Sequence, residues 1–327
     1  MNILITGGTG SLGRAVIAKL LDKPSFEKIC VYSRDEHKQE QIKEQFNNDP
    51  KLRFFIGDIR DKDRLRLALK GITHVIHAAA LKIVPTGEYN PFETLKTNVI
   101  GAQNLIDCLL EGASGYVNYP TRVIALSTDK AVHPINLYGA TKLCAEKLFM
   151  AANNVQGPHG HKFSVARYGN VSNSNGSVIP LFMRQVVEGK QLTITNDKMS
   201  RFWITLDEAS DFVLKCMGAM YGGEIFVPEM PSFKIKDLAH VLMAEHNYPP
   251  EKQWCEVIGI RPGEKLYEEI ITKEECGYTE YFPNEKLYIV NKNSNSRLNL
   301  DGINSDNVKL FSRSELKEKL IEIGVLQ

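Results

Sequence analysis

The stretch that decides the fold stands near the start of the chain and reads Asn2-Ile3-Leu4-Ile5-Thr6-Gly7-Gly8-Thr9-Gly10-Ser11-Leu12-Gly13. A run of apolar residues typical of a buried strand leads into a glycine-rich turn, and a segment with helical periodicity follows. Three of the glycines satisfy G-x-G-x-x-G, a pattern whose small residues let the backbone approach a pyrophosphate at a helix N-terminus. This context predicts a strand–turn–helix unit that binds a dinucleotide.

Strand-like apolar runs alternate with helical segments through the first half of the 327 residues. The predicted strands are Asn2–Thr6, Lys28–Tyr32, Leu52–Ile56, His74–His77, Thr121–Ser127 and Phe163–Tyr168. Another helix is predicted to begin at Pro91 and to run through Leu109. Alternation of this kind predicts parallel pairing through right-handed crossovers, and therefore an α/β fold with a doubly wound, Rossmann-type parallel sheet.

The second half is less regular and predicts a smaller C-terminal substrate lobe that is partly interleaved with the sheet. Prolines and polar loops punctuate it, but Glu224–Pro228 is strand-like and is expected to return to the sheet. Ser312 and Glu315 have the spacing of a capping box at the start of a closing helix. We therefore predict a cofactor-binding Rossmann domain over residues 1–170 and 203–228, and a substrate-binding lobe over residues 171–202 and 229–327.

Composition argues against several classes of function. The net charge is +1, with 43% hydrophobic and 24% charged residues, so neither nucleic acid nor an anionic membrane surface is an expected partner. The N-terminus has no basic leader region and no apolar run approaches the ~18 residues of a membrane helix, so we expect a cytoplasmic protein without a membrane segment. The cysteines form no C-x-x-C pair, and His159 and His161 lack a third ligand. No metal site is predicted, and both histidines are expected to be solvated.

The polar cluster after the second strand bears on the choice of dinucleotide. Ser33 and Arg34 come first and offer a hydroxyl and a cationic fork that suit a 2′-phosphate, so NADP is favoured over NAD. The alternative is a solvated helix start with Asp35 and Glu36 in its first turn. The predicted cofactor-binding residues are Gly7, Thr9, Gly10, Ser11, Leu12, Gly13, Ser33, Arg34, Lys38, Asp58, Ile59, Ala78, Ala79, Ala80, Lys82, Asn98, Tyr138 and Lys142.

A second informative stretch follows the strand that ends near Ser127. Tyr138 and Lys142 are four residues apart and share one face of a helix, and a lysine beside a tyrosine favours the phenolate. Asp129 and Lys130 add an acid/base pair at the carboxyl end of a strand, where open α/β sheets bind ligands. The alternative is a local cap at Asp129 and an exposed lysine. The predicted catalytic set is Asp129, Lys130, Tyr138 and Lys142, with Thr128 as a hydrogen-bonding group for a substrate oxygen or as a turn cap.

These motifs together resemble the extended short-chain dehydrogenase/reductase superfamily. Thr128-Asp129-Lys130 followed by Tyr138-Gly139-Ala140-Thr141-Lys142 is similar to the inverting UDP-N-acetylglucosamine 4,6-dehydratases of that group. Retaining 4,6-dehydratases typically carry Asp-Glu, and 4-epimerases need no extra acid and base here. The other stretches that match are Tyr32–Glu36, Phe54–Asp61, His77–Lys82, Glu88–Pro91, Arg167–Val171, Arg201–Glu208 and Gly259–Lys265. The chain departs from the family pattern at Ile83 and Asn175, where a histidine and an arginine are usual.

The resemblance implies NADP-dependent 4,6-dehydration of UDP-N-acetylglucosamine with inversion at C5, giving a UDP-2-acetamido-2,6-dideoxy-L-arabino-hexos-4-ulose. Tyr138, activated by Lys142, is then expected to accept the C4 hydroxyl proton. Lys130 removes the C5 proton, after burial, the positive Lys142 and the oxidised nicotinamide have lowered its pKa. Asp129 protonates the C6 hydroxyl as it leaves, and hydride returns to C6.

The resemblance also assigns the nucleotide-sugar residues Lys82, Asn170, Ser177, Val178, Arg261 and Glu264. A surface β-turn is the alternative for Arg261–Glu264. A homo-oligomer is implied as well, either a dimer or a trimer of dimers.

Two other functions stay open at this point. One is a related nucleotide-sugar reaction, by a C5-retaining 4,6-dehydratase or a 4-epimerase. The other is a non-catalytic NADP-sensing or scaffold protein, against which the joint presence of Asp129, Lys130, Tyr138 and Lys142 argues.

Overall fold

The computed structural model describes residues 1–112, 121–156, 160–174, 177–246 and 255–326. The strands of these residues are β1 (Asn2–Thr6), β2 (Lys28–Ser33), β3 (Leu52–Ile56), β4 (His74–His77), β5 (Arg122–Thr128), β6 (Lys162–Tyr168), β7 (Leu192–Ile194), β8 (Ser200–Phe202), β9 (Ile225–Pro228), β10 (Ser232–Lys234), β11 (Cys255–Val257), β12 (Glu269–Ile271), β13 (Thr279–Phe282), β14 (Leu287–Val290) and β15 (Ile303–Asn304). The first six agree with the predicted strands to within one residue at each end.

One large sheet carries nine of these strands in the order β13-β14-β9-β6-β5-β4-β1-β2-β3. The strands from β3 to β9 are parallel, and β14 and β13 continue the sheet in antiparallel pairing. The predicted doubly wound parallel sheet is confirmed, and so is the return of β9 to it. The carboxyl ends of β1, β4 and β5 lie side by side, which brings the glycine turn and the Asp129–Lys130 pair to the same edge.

The helices are α1 (Ser11–Leu21), α2 (Glu36–Gln45), α3 (Lys62–Ala68), α4 (Val84–Tyr89), α5 (Pro91–Leu95), α6 (Gly101–Leu110), α7 (Leu137–Val155), α8 (Val178–Val187), α9 (Leu206–Ala219), α10 (Ile235–Glu245), α11 (Lys273–Cys276) and α12 (Arg313–Glu322). The helix predicted from Pro91 is interrupted by a π-helical stretch, Lys96–Ile100, between α5 and α6. Such stretches often mark functional sites. None of the helices in the described ranges has the length and apolar content that a bilayer span requires.

A second group of buried apolar side chains forms beside the sheet, around Trp203, Phe233 and Leu316. Three two-stranded sheets lie outside the large sheet: β8 with β10, β7 with β11, and β12 with β15. The closing helix α12 begins with the predicted capping box of Ser312 and Glu315.

The predicted domain boundaries differ from the structure at two places. The strands β13 and β14 come from the segment assigned to the substrate lobe, yet they extend the large sheet, because Leu287 and Val290 pack into its core. Trp203 was assigned to the Rossmann domain but packs in the second apolar group. One histidine expectation is wrong. His161 is buried, and its ring nitrogen accepts a hydrogen bond from the Thr121 N–H at 3.0 Å; His159 lies outside the described residues.

Candidate active site

The glycine turn after β1 is packed so closely that only glycine fits at two positions. Gly7 has φ +68°, and a Cβ there would lie 2.8 Å from the Ala79 nitrogen. A Cβ on Gly13 would overlap the Gly8 carbonyl. Gly10 occupies the N-cap position of α1. Because glycine has no side chain to form a cap, the first amides of that helix are left open at this position. This is the cradle that a pyrophosphate requires, and the residues present fit a bound dinucleotide.

The polar residues at the end of β2 agree partly with a cofactor-binding role and partly with the alternative of a helix start. Ser33 is buried, and its hydroxyl accepts a hydrogen bond from Gln39 Nε2 at 2.9 Å, so it is already engaged within the protein. Asp35 caps α2 by accepting from the Lys38 N–H, as the helix-start alternative predicts. Arg34 is 56% exposed, and its Nη1 lies 3.7 Å from Asp58 Oδ2. Arg34 therefore remains accessible to a phosphate.

Two other predicted cofactor residues have structural contacts of their own. Asn98 lies in the π-helical stretch and is buried. Its Oδ1 accepts from the Leu81 N–H at 2.8 Å, while its Nδ2 donates to the Leu81 carbonyl and to Thr141 Oγ1. Both ends of the amide are thus occupied, so the structure gives Asn98 the task of fixing the loop after β4. Ile59 is buried against Gly101.

The predicted catalytic residues lie where β5 ends. Thr128 closes the strand, Asp129 begins a short 3₁₀ turn, and α7 starts at Leu137 with Asn136 as its cap. Gly139 allows α7 to approach the turn, because a Cβ on it would overlap the Lys130 carbonyl. The Thr128 hydroxyl donates to Asp129 Oδ1 at 2.9 Å.

Lys130 lies between two buried carboxylates. Its Nζ is 3.1 Å from Asp129 Oδ1 and 3.1 Å from Glu268 Oε1. The side chains of Asp129 and Glu268 are 0% and 3% exposed. Arg201 on β8 approaches Glu268 Oε1 at 3.7 Å and Glu264 Oε1 at 3.6 Å. The alternative of an exposed Lys130 is therefore wrong.

The predicted protonation of Lys130 is also wrong. Burial lowers the pKa of Lys130, but the carboxylates of Asp129 and Glu268 raise it more, so the net shift is well above the usual 10.5. The prediction considered Lys142 and the oxidised nicotinamide as the neighbouring charges and did not include Glu268. Burial raises the pKa of Asp129, with Glu268 acting in the same direction and Lys130 against it. Asp129 therefore has the environment of a proton donor.

Tyr138 and Lys142 both lie on α7, as their spacing predicts. Burial raises the pKa of Tyr138 to about 12, with Asp129 raising it and Lys130 and a hydrogen bond with Thr128 lowering it. Burial lowers the pKa of Lys142 to about 8, while Glu146 raises it. Lys130 is the cation that lowers the pKa of Tyr138, and activation by Lys142 stays a prediction.

Most of the nucleotide-sugar residues predicted from the resemblance lie after β6, at the start of α8 and in a turn before β12. Asn170 Oδ1 and Ser177 Oγ are buried without a hydrogen-bond partner in the described residues. Ser177 directly precedes α8, whose first residue is Val178, and does not cap it. Arg261 is exposed in a turn closed by the Glu264 N–H donating to the Arg261 carbonyl at 3.0 Å. This turn packs on α7, because Asn136 Nδ2 donates to the Gly263 carbonyl.

Lys82 lies on the exposed loop after β4. Partial desolvation and the nearby Lys130 lower its pKa. Asn175 lies outside the described residues.

Sequence reasoning missed Glu268 and Arg201 as members of the site. Each stands inside or next to a stretch that matches the family, but no local spacing connects either with Lys130. Tertiary packing alone brings them to the end of β5.

A second buried ion cluster lies beside Lys142. Arg167 is 1% exposed and donates from Nε and Nη2 to Glu146 at 3.0 and 2.7 Å. It donates from Nη1 and Nη2 to Glu275 at 2.8 and 3.0 Å, and also from Nη1 to the Ile270 carbonyl. This cluster ties α7 and β6 to β12 and α11.

Comparisons with known proteins identify a family and several relatives of this chain. The family model described as "Polysaccharide biosynthesis protein" matches residues 3–291. An inverting UDP-N-acetylglucosamine 4,6-dehydratase of Campylobacter jejuni is 48% identical over 314 residues, which cover 94% of this chain and 90% of that protein. A UDP-glucose 4-epimerase of Rickettsia massiliae is 39% identical over 340 residues, covering 99% and 96%.

Solved structures agree with the fold. The X-ray structure of Pen from Bacillus thuringiensis has a TM-score of 0.90 and 37% identity, covering 100% of this chain and 98% of that one. The dTDP-glucose 4,6-dehydratase DesIV from Streptomyces venezuelae has a TM-score of 0.70 at 24% identity, covering 81% and 87%, and is similar in fold alone.

Proposed function

The chain belongs to the polysaccharide biosynthesis protein family, and we propose that it is an NADP-dependent, C5-inverting 4,6-dehydratase of UDP-N-acetylglucosamine. The observation that carries the proposal is the Asp129–Lys130 pair held at the end of β5 beside Tyr138. A 4-epimerase needs neither a base for C5 nor an acid for the C6 hydroxyl. This chain has candidates for both.

Tyr138 is our candidate to accept the proton of the C4 hydroxyl. Its phenol hydrogen-bonds the Thr128 side chain, and the positive charge of Lys130 favours the phenolate. Because burial alone holds the phenol protonated, further positive charge at the site is required before it works as a base. Bound NADP supplies the hydride acceptor at C4 and the hydride donor at C6.

Asp129 and Lys130 are our candidates for the loss of water. The 4-ketone acidifies the hydrogen on C5, which Lys130 takes as a neutral amine. Asp129 gives a proton to the C6 hydroxyl, which leaves as water. Transfer of one proton from Lys130 Nζ to Asp129 Oδ1, along a 3.1 Å hydrogen bond, prepares both groups at once.

NADP is the dinucleotide we propose, and Arg34 is the residue that supports it. Its guanidinium is exposed at the end of β2, where a 2′-phosphate is read in this fold. We expect Arg34→Ala to weaken NADP binding by about tenfold and to leave NAD binding nearly unchanged. Titration of both nucleotides by calorimetry checks this, and an equal loss for both would refute the assignment.

Asn170 Oδ1 and Ser177 Oγ, which find no partner among the residues that the structure describes, support binding of the nucleotide sugar, since buried polar groups require partners. Arg261 is exposed and suits a diphosphate, because its fork binds two oxygens. By analogy with the family we also propose a cytoplasmic homo-oligomer, a dimer or a trimer of dimers. Cell fractionation and light scattering of the purified protein test these two statements.

Product analysis in deuterated water tests the reaction. The purified protein is incubated with NADP and UDP-N-acetylglucosamine, and the product is followed by mass spectrometry and proton resonance. We expect loss of water, deuterium at C5 and the L-arabino configuration. A D-configured 4-keto product would indicate a retaining dehydratase, and a C4 epimer without loss of water would indicate an epimerase. NADP binding without any turnover would indicate a sensing or scaffold protein.

A further inference from the structure

Glu268 contacts Lys130 in the 3₁₀ turn Asp129–Ala131, although it belongs to the segment that precedes β12. Its Oε1 lies 3.1 Å from Lys130 Nζ, and its side chain is 3% exposed. Its backbone is fixed on both sides by Ser305, whose hydroxyl accepts from the Glu268 N–H at 3.0 Å and whose N–H donates to the Glu268 carbonyl at 2.8 Å. The fold itself therefore holds this carboxylate against the amine.

The residues around Glu268 hold the same turn. Lys265 Nζ donates to the Val132 carbonyl at 2.6 Å, and His133 Nδ1 lies 2.6 Å from Glu269 Oε2. The segment 265–269 thus makes three polar contacts with residues 130–133. Lys130 is positioned by a clasp from the second half of the chain as well as by its own neighbour Asp129.

Asp129 and Glu268 each place one carboxylate oxygen beside the Lys130 amine. Asp129 Oδ2 and Glu268 Oε2 are buried and have no hydrogen-bond partner among the described residues. Buried carboxylate oxygens that serve only structure are normally satisfied, so this pattern suits groups that exchange protons or bind a substrate hydroxyl.

The charges that face this cluster come from several elements. Asp129 belongs to the turn itself, Arg201 to β8, and Lys265 to the clasp. Glu264 pairs with Arg201, Lys82 approaches from the loop after β4, and Tyr138 approaches from α7. Among Glu268 and the groups just named, only Asp129 and Glu268 place a carboxylate oxygen within 3.1 Å of Lys130 Nζ.

We propose that Glu268 is a positioning residue for Lys130, which anchors Nζ beside Asp129 and keeps the amine protonated until the proton is passed to Asp129. The role given to Glu268 in catalysis rests on the proposed function, but the geometry that supports this role does not depend on the substrate. In the transfer, an N–H bond of the ammonium breaks and an O–H bond forms on Asp129. The electron pair stays on Nζ as the lone pair of the base, and no redox partner is involved.

Replacing Glu268 by glutamine isolates its charge. The amide oxygen of Glu268→Gln keeps a hydrogen-bond acceptor at nearly the same place, but the negative charge is lost. Because an opposite charge at this distance favours the charged amine, we expect the Lys130 pKa to fall by roughly one to three units. The conservative variant Glu268→Asp retains the charge and is expected to keep the Lys130 pKa above that of Glu268→Gln.

The decisive readout is direct titration of Lys130 by carbon and nitrogen resonances of labelled lysine, assigned with Lys130→Arg, in protein without substrate. Glu224→Gln is the matched control. Glu224 is also a buried carboxylate, but it accepts a hydrogen bond from the Ser164 hydroxyl and is distant in sequence from the turn that holds Lys130. We expect wild type and Glu224→Gln to titrate above the ordinary value of 10.5 and Glu268→Gln to titrate lower.

Two results would overturn the inference. One is a wild-type Lys130 that titrates at or below the ordinary value, which decides the matter even if Glu268→Gln does not fold. The other is a folded Glu268→Gln with an unshifted Lys130. The rate profile gives a second test, since the limb that reports loss of the Lys130 proton should move to lower pH in Glu268→Gln. Absence of dehydration by the wild type would instead contradict the proposed function.

Discussion

Two buried clusters of this protein each place one cation between two carboxylates, but only one of them can release a proton. The arginine cluster is Glu146, Arg167 and Glu275, and the lysine cluster is Asp129, Lys130 and Glu268. Both connect the sheet and its neighbouring turns to the segment between residues 268 and 275. Their formal charges are the same, so their difference lies in geometry and in the nature of the cation.

In the arginine cluster all four carboxylate oxygens accept hydrogen bonds from the guanidinium. In the lysine cluster one oxygen of each carboxylate has no hydrogen-bond partner within the part of the chain that the structure describes. Arginine stays protonated at any working pH, whereas a buried lysine changes its proton affinity readily. The comparison indicates that the arginine cluster stabilises the fold and that the lysine cluster serves the chemistry.

The largest expected effect is the loss of turnover in Lys130→Ala. Without the amine, the site loses our candidate base for the C5 proton, and we expect kcat to fall by about 10³-fold or more. NADP binding, measured by fluorescence quenching, is expected to stay within about twofold, because the glycine turn lies on a different strand. Turnover within about tenfold of the wild type would remove Lys130 as the base.

Arg167→Ala is expected to act on stability. It leaves two buried carboxylates without their cation, so the free energy of unfolding in urea should fall by about 3–5 kcal/mol. Arg313→Ala is the matched control, because Arg313 is 58% exposed in its pair with Asp237. Exposed pairs contribute at most about 1 kcal/mol. Equal losses for the two variants would contradict a structural role for the arginine cluster.

Arg167→Lys sharpens the comparison because it keeps the charge and removes the fork. An ammonium cannot donate to all four carboxylate oxygens in the geometry observed, so we expect a loss of about 1–3 kcal/mol in the free energy of unfolding. If this variant were as stable as the wild type, charge alone would explain the cluster.

The pH dependence of stability gives the smallest effect. Burial raises the pKa of Glu275, but Arg167 lowers it more, so the net value lies below the ordinary 4.5. A carboxyl whose folded pKa is depressed contributes stability above its unfolded pKa and loses it as pH falls through the folded value. The stability difference between wild type and Glu275→Gln should therefore shrink on acidification below about pH 4.5. A difference that stays constant there would contradict this assignment.

The parts of the fold that are local in sequence are predictable. The six parallel strands and the glycine turn follow from apolar runs and from a motif that needs close backbone approach, and they agree with the structure. The strands β13 and β14 are not predictable, because they are short and their place in the sheet depends on the antiparallel pairing of β14 with β9 and of β13 with β14.

The site divides in the same way. Asp129 and Lys130 are adjacent, so their pairing is evident from the sequence, but the protonation of Lys130 depends on Glu268, which only the tertiary fold brings near. Asn98 and Ser33 have residue types that suit a cofactor, and the structure shows that other protein groups already occupy their polar atoms. Residue type predicts capability, and burial and partners decide its use.

The most direct test of the account is deuterium content at C5 when Lys130→Arg and wild type act on UDP-N-acetylglucosamine in deuterated water. Arginine preserves the positive charge between the carboxylates but cannot become a neutral base. We predict a wild-type product with deuterium at C5 and a folded, NADP-binding variant that forms neither product nor deuterated substrate. Deuterium at C5 appearing in the variant at the wild-type rate would contradict the claim that Lys130 releases its proton to start the dehydration.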